Sequence, residues 1–180
     1  MKLLFTGDIC FNYRQDVDAA ASRAILANVK PVLDAADVRI MNLETPIFDE
    51  GVGYRITKTG PNLIGRPHNL GFLTEAGCDC AVLANNHTGD YGDEALFQTL
   101  SYLDAAGIAH CGAGHDIEEA YRAWRFERDG FTVSVIAVCE NEFGLAEHDK
   151  PGSAGFSMER LSDAIVRERE ISEFVIVLYH

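Results

Sequence analysis

The chain has 180 residues, 47% of them hydrophobic and 24% charged, and a formal net charge of −13 at pH 7. This length suits one globular domain with a hydrophobic core, and the composition excludes a disordered chain. The acidic excess argues against a nucleic-acid or anionic-membrane surface, because phosphate groups are bound by clustered lysines and arginines. A small phosphorylated substrate is compatible with it, since a metal ion can supply positive charge locally.

No segment of the sequence is typical of a targeting signal or a membrane span. The apolar segment at residues 2–6 is too short for a signal-peptide core, and no stretch reaches the roughly 18 apolar residues of a spanning helix. The predicted localisation is therefore cytoplasmic. The five cysteines are predicted to be reduced and mostly buried, and the one-residue spacing of Cys78 and Cys80 favours strand packing over a zinc or redox pair.

In the first part of the chain, short apolar segments alternate with helical patterns. Strands are predicted at residues 2–6, 37–43, 79–84 and 108–111. Helices are predicted at residues 16–28, from Pro31, at 67–76 and at 93–106. Residues 45–66 are rich in glycine, proline and polar side chains and are predicted to form a long loop. This alternation of strands and helices predicts a parallel sheet.

The pattern changes after a predicted helix at residues 116–122. Asp129-Gly130 separates two strand-like segments, which predicts a hairpin and therefore a mixed sheet or a second sheet. A loop at 141–155, a helix at 158–169 with Ser157 as its cap, and a strand at 174–178 complete the chain. No domain boundary is evident. Because an apolar strand at a chain end would leave an exposed edge, further residues are expected beyond His180.

Polar residues with metal-binding side chains follow four of the apolar strands. They are Asp8, Glu44, the pair Asn86-His87, and His180. Binding sites in open α/β sheets lie outside the carboxyl ends of the strands, so these residues are expected on one rim. Carboxylate, amide and imidazole ligands suit manganese, zinc or iron. Two such ions could polarise a phosphoryl oxygen and activate water, and His87 could protonate the leaving oxygen.

Several motifs resemble, in order and spacing, those of the CapA family of poly-γ-glutamate capsule-synthesis proteins. They are Gly7-Asp8-Ile9, Asn42-Leu43-Glu44-Thr45-Pro46, Lys58-Thr59-Gly60-Pro61 and the segment LANNHTGDYG at residues 83–92. The last of these is the most specific, whereas Gly-Asp-Ile alone would be weak. The segments 103–114 and 175–180 also fit, so the resemblance covers nearly the whole chain.

The resemblance implies a calcineurin-like metallophosphoesterase fold, an α/β/β/α sandwich of two facing mixed sheets flanked by helices. Residues 1–180 would be the N-terminal part of a single domain of this kind. The resemblance also implies two divalent metal ions (Mn, Zn or Fe) and a small-molecule or polymer substrate. It assigns Asp8, Glu44, Asn86 and His180 as metal ligands, His87 as the general acid or phosphate-binding residue, and Lys58 and Asn85 as substrate contacts.

The sequence departs from the superfamily pattern at three places. Cys10 stands where a histidine is usual, Glu44 stands where the bridging aspartate is usual, and a final His-x-His motif would lie after His180. The implied function is a metal-dependent phosphoester hydrolase or transferase in capsule or cell-envelope polymer synthesis. The alternative is a non-catalytic binding module with the same fold. A thiol enzyme is disfavoured, because no cysteine has a helix start and a basic partner beside it.

Each proposed site residue also has a purely structural interpretation. Asp8 could cap the segment that follows it, Glu44 could be a solvated loop residue, and Asn85-Asn86 could simply form a turn. Lys58 could be an ordinary exposed charge, and His180 a frayed end. Residues 140–142 follow the hairpin and are interpreted as a polar loop rather than as part of the site.

Overall fold

The computed structural model describes residues 1–11 and 17–180, so the predicted start of the first helix at Asp16 lies outside the described residues. The described strands are β1 (Leu3–Ile9), β2 (Val38–Leu43), β3 (Cys80–Val82), β4 (Ala109–Cys111), β5 (Ala113–Gly114), β6 (Trp124–Arg128), β7 (Phe131–Val138), β8 (Gly152–Ser153) and β9 (Phe174–Tyr179). The described helices are α1 (Ala19–Leu26), α2 (Lys30–Asp34), α3 (Leu70–Ala76), α4 (Gly92–Ala105), α5 (Ile117–Ala120) and α6 (Met158–Arg169). A short 3₁₀ helix, Pro67–Asn69, leads into α3.

The first half of the chain forms a four-stranded sheet in the order β1-β2-β3-β4, with every described pair of neighbours parallel. Parallel neighbours require a crossover, and a helix lies between each pair of successive strands along the chain. These helices cover one face of the sheet, where Leu43, Leu73 and Leu103 belong to one buried cluster. The other face turns toward the second sheet.

The second sheet has the order β6-β7-β9 and is mixed. The β6–β7 hairpin is antiparallel, whereas β7 and β9 run parallel. Asp129 and Gly130 have φ angles of 53° and 80°, the left-handed pair that a two-residue hairpin turn requires. A two-residue antiparallel ladder, β5–β8, lies beside these sheets. The hairpin prediction is therefore confirmed.

Three apolar clusters define the layers. Ile40 and Val82 of the first sheet pack against Val135 and Ala137 of the second. The outer face of the second sheet packs against α5 and α6. The predicted α/β/β/α sandwich is confirmed, with one difference: among the described strands, the first sheet is wholly parallel and only the second is mixed.

One strand prediction and one loop prediction need correction. β1 does not end before Gly7-Asp8 but continues to Ile9, with a register irregularity between Phe5 and Asp8. Asp8 therefore lies within the last part of a strand, opposite Asn42. The predicted loop at 141–155 also contains the short strand β8, which has too few residues to give an alternating pattern.

Candidate metal centre

Three of the predicted ligands come together in one place. Ligand atoms of Asp8, Glu44 and His180 all lie within 4.8 Å of one another. His180 Nε2 is 3.7 Å from Asp8 Oδ1 and 3.7 Å from Glu44 Oε1. Because β1 and β2 belong to the first sheet and β9 to the second, this cluster joins the two sheets at one rim.

Backbone pairing fixes the positions of these residues. The Glu44 N–H donates to the Ile9 carbonyl at 3.2 Å, which extends the parallel β1–β2 ladder by one step. The His180 N–H donates to the Val138 carbonyl at 3.1 Å and extends the β7–β9 ladder in the same way. Two of the predicted ligands, Glu44 and His180, therefore lie at strand ends that sheet hydrogen bonds hold in place.

A chain of amide side chains orients Asp8. Asn42 Nδ2 donates to Asp8 Oδ1 at 2.7 Å. Asn85 Nδ2 in turn reaches Asn42 Oδ1 at 3.2 Å and the Leu43 carbonyl at 3.1 Å. Asn42 was not among the predicted site residues, although it lies in one of the motifs. Its position opposite Asp8 in the register explains its place here.

Asn85 is fully buried and shapes the loop after β3. Its Oδ1 accepts hydrogen bonds from the backbone N–H groups of His87 and Thr88 and from the Thr88 hydroxyl, at 3.0–3.1 Å. Both ends of the amide are thus engaged inside the protein. Its predicted substrate contact stays a prediction, and such a contact would require these bonds to open.

Asn86 follows in the same loop after β3. Its Oδ1 is buried and, within the part of the chain that the structure describes, has no hydrogen-bond partner. A buried carbonyl oxygen without a partner carries a desolvation cost, and coordination of a cation would offset that cost. The predicted ligand role of Asn86 therefore has a physical basis besides sequence resemblance.

His87 borders the cluster from the side of β3. Its Nε2 is 3.9 Å from Glu44 Oε1, and its Nδ1 is 2.8 Å from Asp90 Oδ2. Nδ1 meets two groups of opposite charge, since Lys58 Nζ lies 3.0 Å from the same atom. The contact with Asp90 orients the ring with Nε2 toward the cluster. Asp90 was not predicted as a site residue, although its position three residues after His87 was visible in the motif.

Lys58 reaches the same region from the long loop. Its side chain is 1% exposed and forms an ion pair with Asp90, which is 0% exposed. Lys58 Nζ also donates to the Asn86 carbonyl at 3.1 Å, lies 3.0 Å from His87 Nδ1, and sits over the Phe143 ring. The ammonium group faces inward, so the interpretation as an exposed charge is wrong. Its predicted substrate contact is untested.

The cysteines do not form a reactive group among the described residues. Cys10 is exposed, and the other four are buried free thiols. Burial raises the pKa of Cys78 and of Cys139 to about 12. These two thiols are therefore protonated at neutral pH, and the prediction of mostly buried, reduced cysteines is confirmed.

The chain forms an α/β/β/α sandwich with carboxylate and histidine side chains at one rim. Residues 2–180 match the family described as bacterial capsule synthesis protein PGA_cap, and the chain belongs to that family. The predicted resemblance to CapA proteins is thereby confirmed. Among the described residues, no helix combines the length and the apolar character needed to cross a bilayer.

Curated relatives of the chain include proteins named for polyglutamine synthesis and for capsule biosynthesis. It is 34% identical over 131 residues to a probable polyglutamine synthesis accessory protein of Mycobacterium tuberculosis, covering 66% of this chain and 32% of the relative. It is 21% identical over 189 residues to the capsule biosynthesis protein CapA of Bacillus anthracis, covering 100% of this chain and 46% of the relative. The chain thus spans a third to a half of these relatives.

Solved structures show the same fold. A novel phosphatase from Mycoplasma pneumoniae superposes with a TM-score of 0.54 at 19% identity, covering 100% of this chain and 55% of that one. A putative 5′-nucleotidase from Staphylococcus aureus gives a TM-score of 0.54 at 16% identity, with 99% and 36% covered. At these identities the likeness concerns the fold alone.

Proposed function

We propose that this chain forms the metal-binding part of a metal-dependent phosphoester hydrolase or transferase that acts in capsule or cell-envelope polymer synthesis. The observation that carries the proposal is the convergence of Asp8, Glu44 and His180 from two sheets within 4.8 Å. Membership of a capsule-synthesis family and the phosphatase-like fold support it. The substrate class is a phosphoester on a small molecule or on a polymer.

The residues present fit a divalent ion. Asp8 and Glu44 supply carboxylate oxygens, His180 supplies a ring nitrogen, and Asn86 supplies a buried amide oxygen without a partner. This mixture suits manganese, zinc or iron and is unlike an all-thiolate site. The donor atoms of Asp8, Glu44 and His180 converge, and with Asn86 Oδ1 proposed as the fourth donor the set is enough for one ion. The predicted second ion requires further donors, so a stoichiometry of two stays a prediction.

The arrangement supports acid–base chemistry at a phosphoester. When bound, a divalent ion would polarise a phosphoryl oxygen and activate a water molecule. Asp8 is half-exposed, so a substrate can reach the rim. Asp90 Oδ2 lies 2.8 Å from His87 Nδ1 and orients Nε2 toward Glu44, where the imidazolium form of the ring would carry a proton on Nε2. From that position His87 can pass a proton to the leaving oxygen.

Metal content tests the proposal directly. The wild-type chain, Asp8→Asn and Asn86→Ala would be incubated with manganese or zinc, desalted and measured by elemental mass spectrometry. Asp163→Asn, an exposed carboxylate on α6, is the matched control. We expect bound metal in the wild type and in Asp163→Asn, and its loss in the two site variants. Metal-free wild-type protein after this treatment would overturn the proposal.

A non-catalytic binding module is the second candidate. Cys10, exposed at the end of β1, favours it, because this position lacks the histidine that the resemblance leads one to expect. Hydrolysis of p-nitrophenyl phosphate and of bis(p-nitrophenyl) phosphate separates the two candidates. Metal-dependent turnover that is lost in Asp8→Asn and in His87→Ala supports the enzyme. Metal binding without turnover of either phosphoester supports the binding module.

A further inference from the structure

We infer that Glu140 is a positioning residue of this site, and that its carboxylate holds the proton of His180 on Nδ1 and so leaves Nε2 free to bind the metal. The inference rests on the proposed metal site and adds a residue that the sequence placed in an ordinary polar loop. Glu140 touches neither Asp8 nor Glu44 in the observed contacts. It acts through His180.

The two nitrogens of His180 have different surroundings. Nε2 faces the carboxylates of Asp8 and Glu44, each at 3.7 Å. Nδ1 faces the carboxylate of Glu140, whose Oε2 lies 3.6 Å away. Nδ1 is also buried, and no described residue forms a hydrogen bond with it. Glu140 is therefore the acceptor that this buried nitrogen faces, at a distance just beyond that of a hydrogen bond.

The sheet holds the two residues side by side. The His180 N–H donates to the Val138 carbonyl, and the Glu140 N–H donates to the His180 carbonyl, both at 3.1 Å. These bonds continue the parallel β7–β9 ladder past Val138 and Tyr179. The placement of Glu140 beside His180 is thus a consequence of strand register, and it survives changes to the Glu140 side chain.

A carboxylate at this position has a definite chemical effect. A neutral imidazole carries one proton, and only the nitrogen without it can bind a metal. By accepting from Nδ1, Glu140 would hold the proton on that nitrogen and leave the Nε2 lone pair toward Asp8 and Glu44. Carboxylates that hold ligating histidines in this way typically contribute 10- to 100-fold to metal affinity, so an effect of roughly that size is expected here.

The test compares Glu140→Ala and Glu140→Gln with the wild type and with Glu142→Ala, an exposed glutamate two residues away. The first readout is the tautomer of His180 in the metal-free protein, from long-range ¹H–¹⁵N correlations of its ring. The second is the dissociation constant for Mn²⁺ or Zn²⁺ by calorimetry. Glutamine keeps an acceptor without the charge, so it should retain part of the effect. It also serves as the test variant if Glu140→Ala does not fold.

We expect the share of the Nδ1–H tautomer to be lower in Glu140→Ala than in the wild type and in Glu142→Ala, with a matching gain of the Nε2–H form. We also expect affinity to fall roughly 10- to 100-fold in Glu140→Ala and less in Glu140→Gln. An unchanged tautomer and affinity in both Glu140 variants would overturn the inference while the metal site stands. If the wild type binds no metal, the proposed function fails, and the metal-free tautomer still decides the role of Glu140.

Discussion

Lys58 and Asp90 show how a single pair of charged residues can constrain the site. Both side chains are almost completely removed from solvent, and both contact His87 Nδ1. When two opposite charges are buried together, their attraction offsets the free energy lost on leaving water. A single buried charge has no such attraction and destabilises the fold. The pair therefore acts as one unit that connects the long loop to the turn after β3.

The variant Lys58→Met tests this pairing. It keeps most of the side-chain volume and leaves the Asp90 carboxylate buried without its cation. We expect the free energy of unfolding to fall by about 3–5 kcal/mol, measured by urea denaturation. The exposed pair of Lys150 and Glu147 offers a matched control, since Lys150→Met should change stability by less than about 1 kcal/mol.

The double variant Lys58→Met/Asp90→Leu separates pairing from packing. If the buried charge causes the loss, removing the carboxylate as well should restore a large part of the stability. A double variant that is less stable than Lys58→Met would contradict this explanation. It would indicate that Lys58 acts mainly through its contacts with the Asn86 carbonyl and the Phe143 ring.

At the residue level, the sequence predicted the residues that form the cluster better than the residues around them. Asp8, Glu44 and His180 could be picked out because each lies at or next to the carboxyl end of a strand, and parallel strands bring their carboxyl ends to one edge. Glu140 could not be found in this way. Its neighbour His180 comes from a strand 40 residues later, and only the β7–β9 register shows that the two side chains meet.

At the level of single elements, α6 is attached to the second sheet by a buried carboxylate. Glu168 is 2% exposed and accepts from Arg125 Nε and Nη2 of β6 at 2.6 and 2.8 Å. The Ser134 hydroxyl of β7 donates to the same carboxylate at 2.7 Å. One glutamate thus connects a helix to two strands, and the Arg125 guanidinium lowers the pKa of Glu168 below its ordinary value of 4.5.

This pKa shift predicts a pH-dependent contribution to stability. A carboxylate with a lowered pKa in the folded state stabilises the protein above its unfolded pKa, and the contribution disappears as the pH falls through the folded value. Glu168→Gln should therefore lose about 1–3 kcal/mol at pH 7, and the difference from the wild type should shrink below about pH 4.5. Urea denaturation at a series of pH values measures both effects.

The control for this experiment is Asp163→Asn, on the exposed side of the same helix. Its stability should follow that of the wild type at every pH, because its side chain is solvated in both states. A difference between Glu168→Gln and the wild type that stays constant from pH 7 to pH 3 would contradict the role of ionisation. The attachment of α6 to the second sheet through Glu168 would then depend on shape and neutral hydrogen bonds alone.

Elements with local signals were predictable, and those that depend on distant partners were not. Ser157 caps α6 by accepting from the Arg160 N–H, and the helix has the predicted bounds. The Asp129-Gly130 turn likewise fixes its hairpin through local backbone geometry. By contrast, β5 and β8 have two residues each and exist only because residues 113–114 and 152–153 meet. No local pattern can reveal such a ladder.

At the scale of the whole molecule, the candidate metal centre is also a junction. The two sheets share an apolar interior, and at one rim they are joined by polar groups: Asp8 and Glu44 from the first sheet and His180 from the second. Two carboxylates this close repel each other in the absence of a cation. An ion bound there would remove that repulsion and tie the sheets together.

Bound metal should therefore stabilise the entire fold. The gain in the free energy of unfolding depends on the metal concentration relative to its dissociation constant. A ligand that binds only the folded state adds about 2.7 kcal/mol when its concentration is 100 times its dissociation constant, or roughly 5–10 °C in the thermal midpoint. We expect this rise in the wild type with Mn²⁺ or Zn²⁺, its reversal by a chelator, and its absence in Asp8→Asn.

Hydrogen exchange distinguishes an ion that joins the two sheets from an ion bound to the first sheet alone. Protection should increase at the ends of both β2 and β9, because the ligands lie on both sheets, whereas protection gained only around β1 and β2 would show that His180 does not bind the ion.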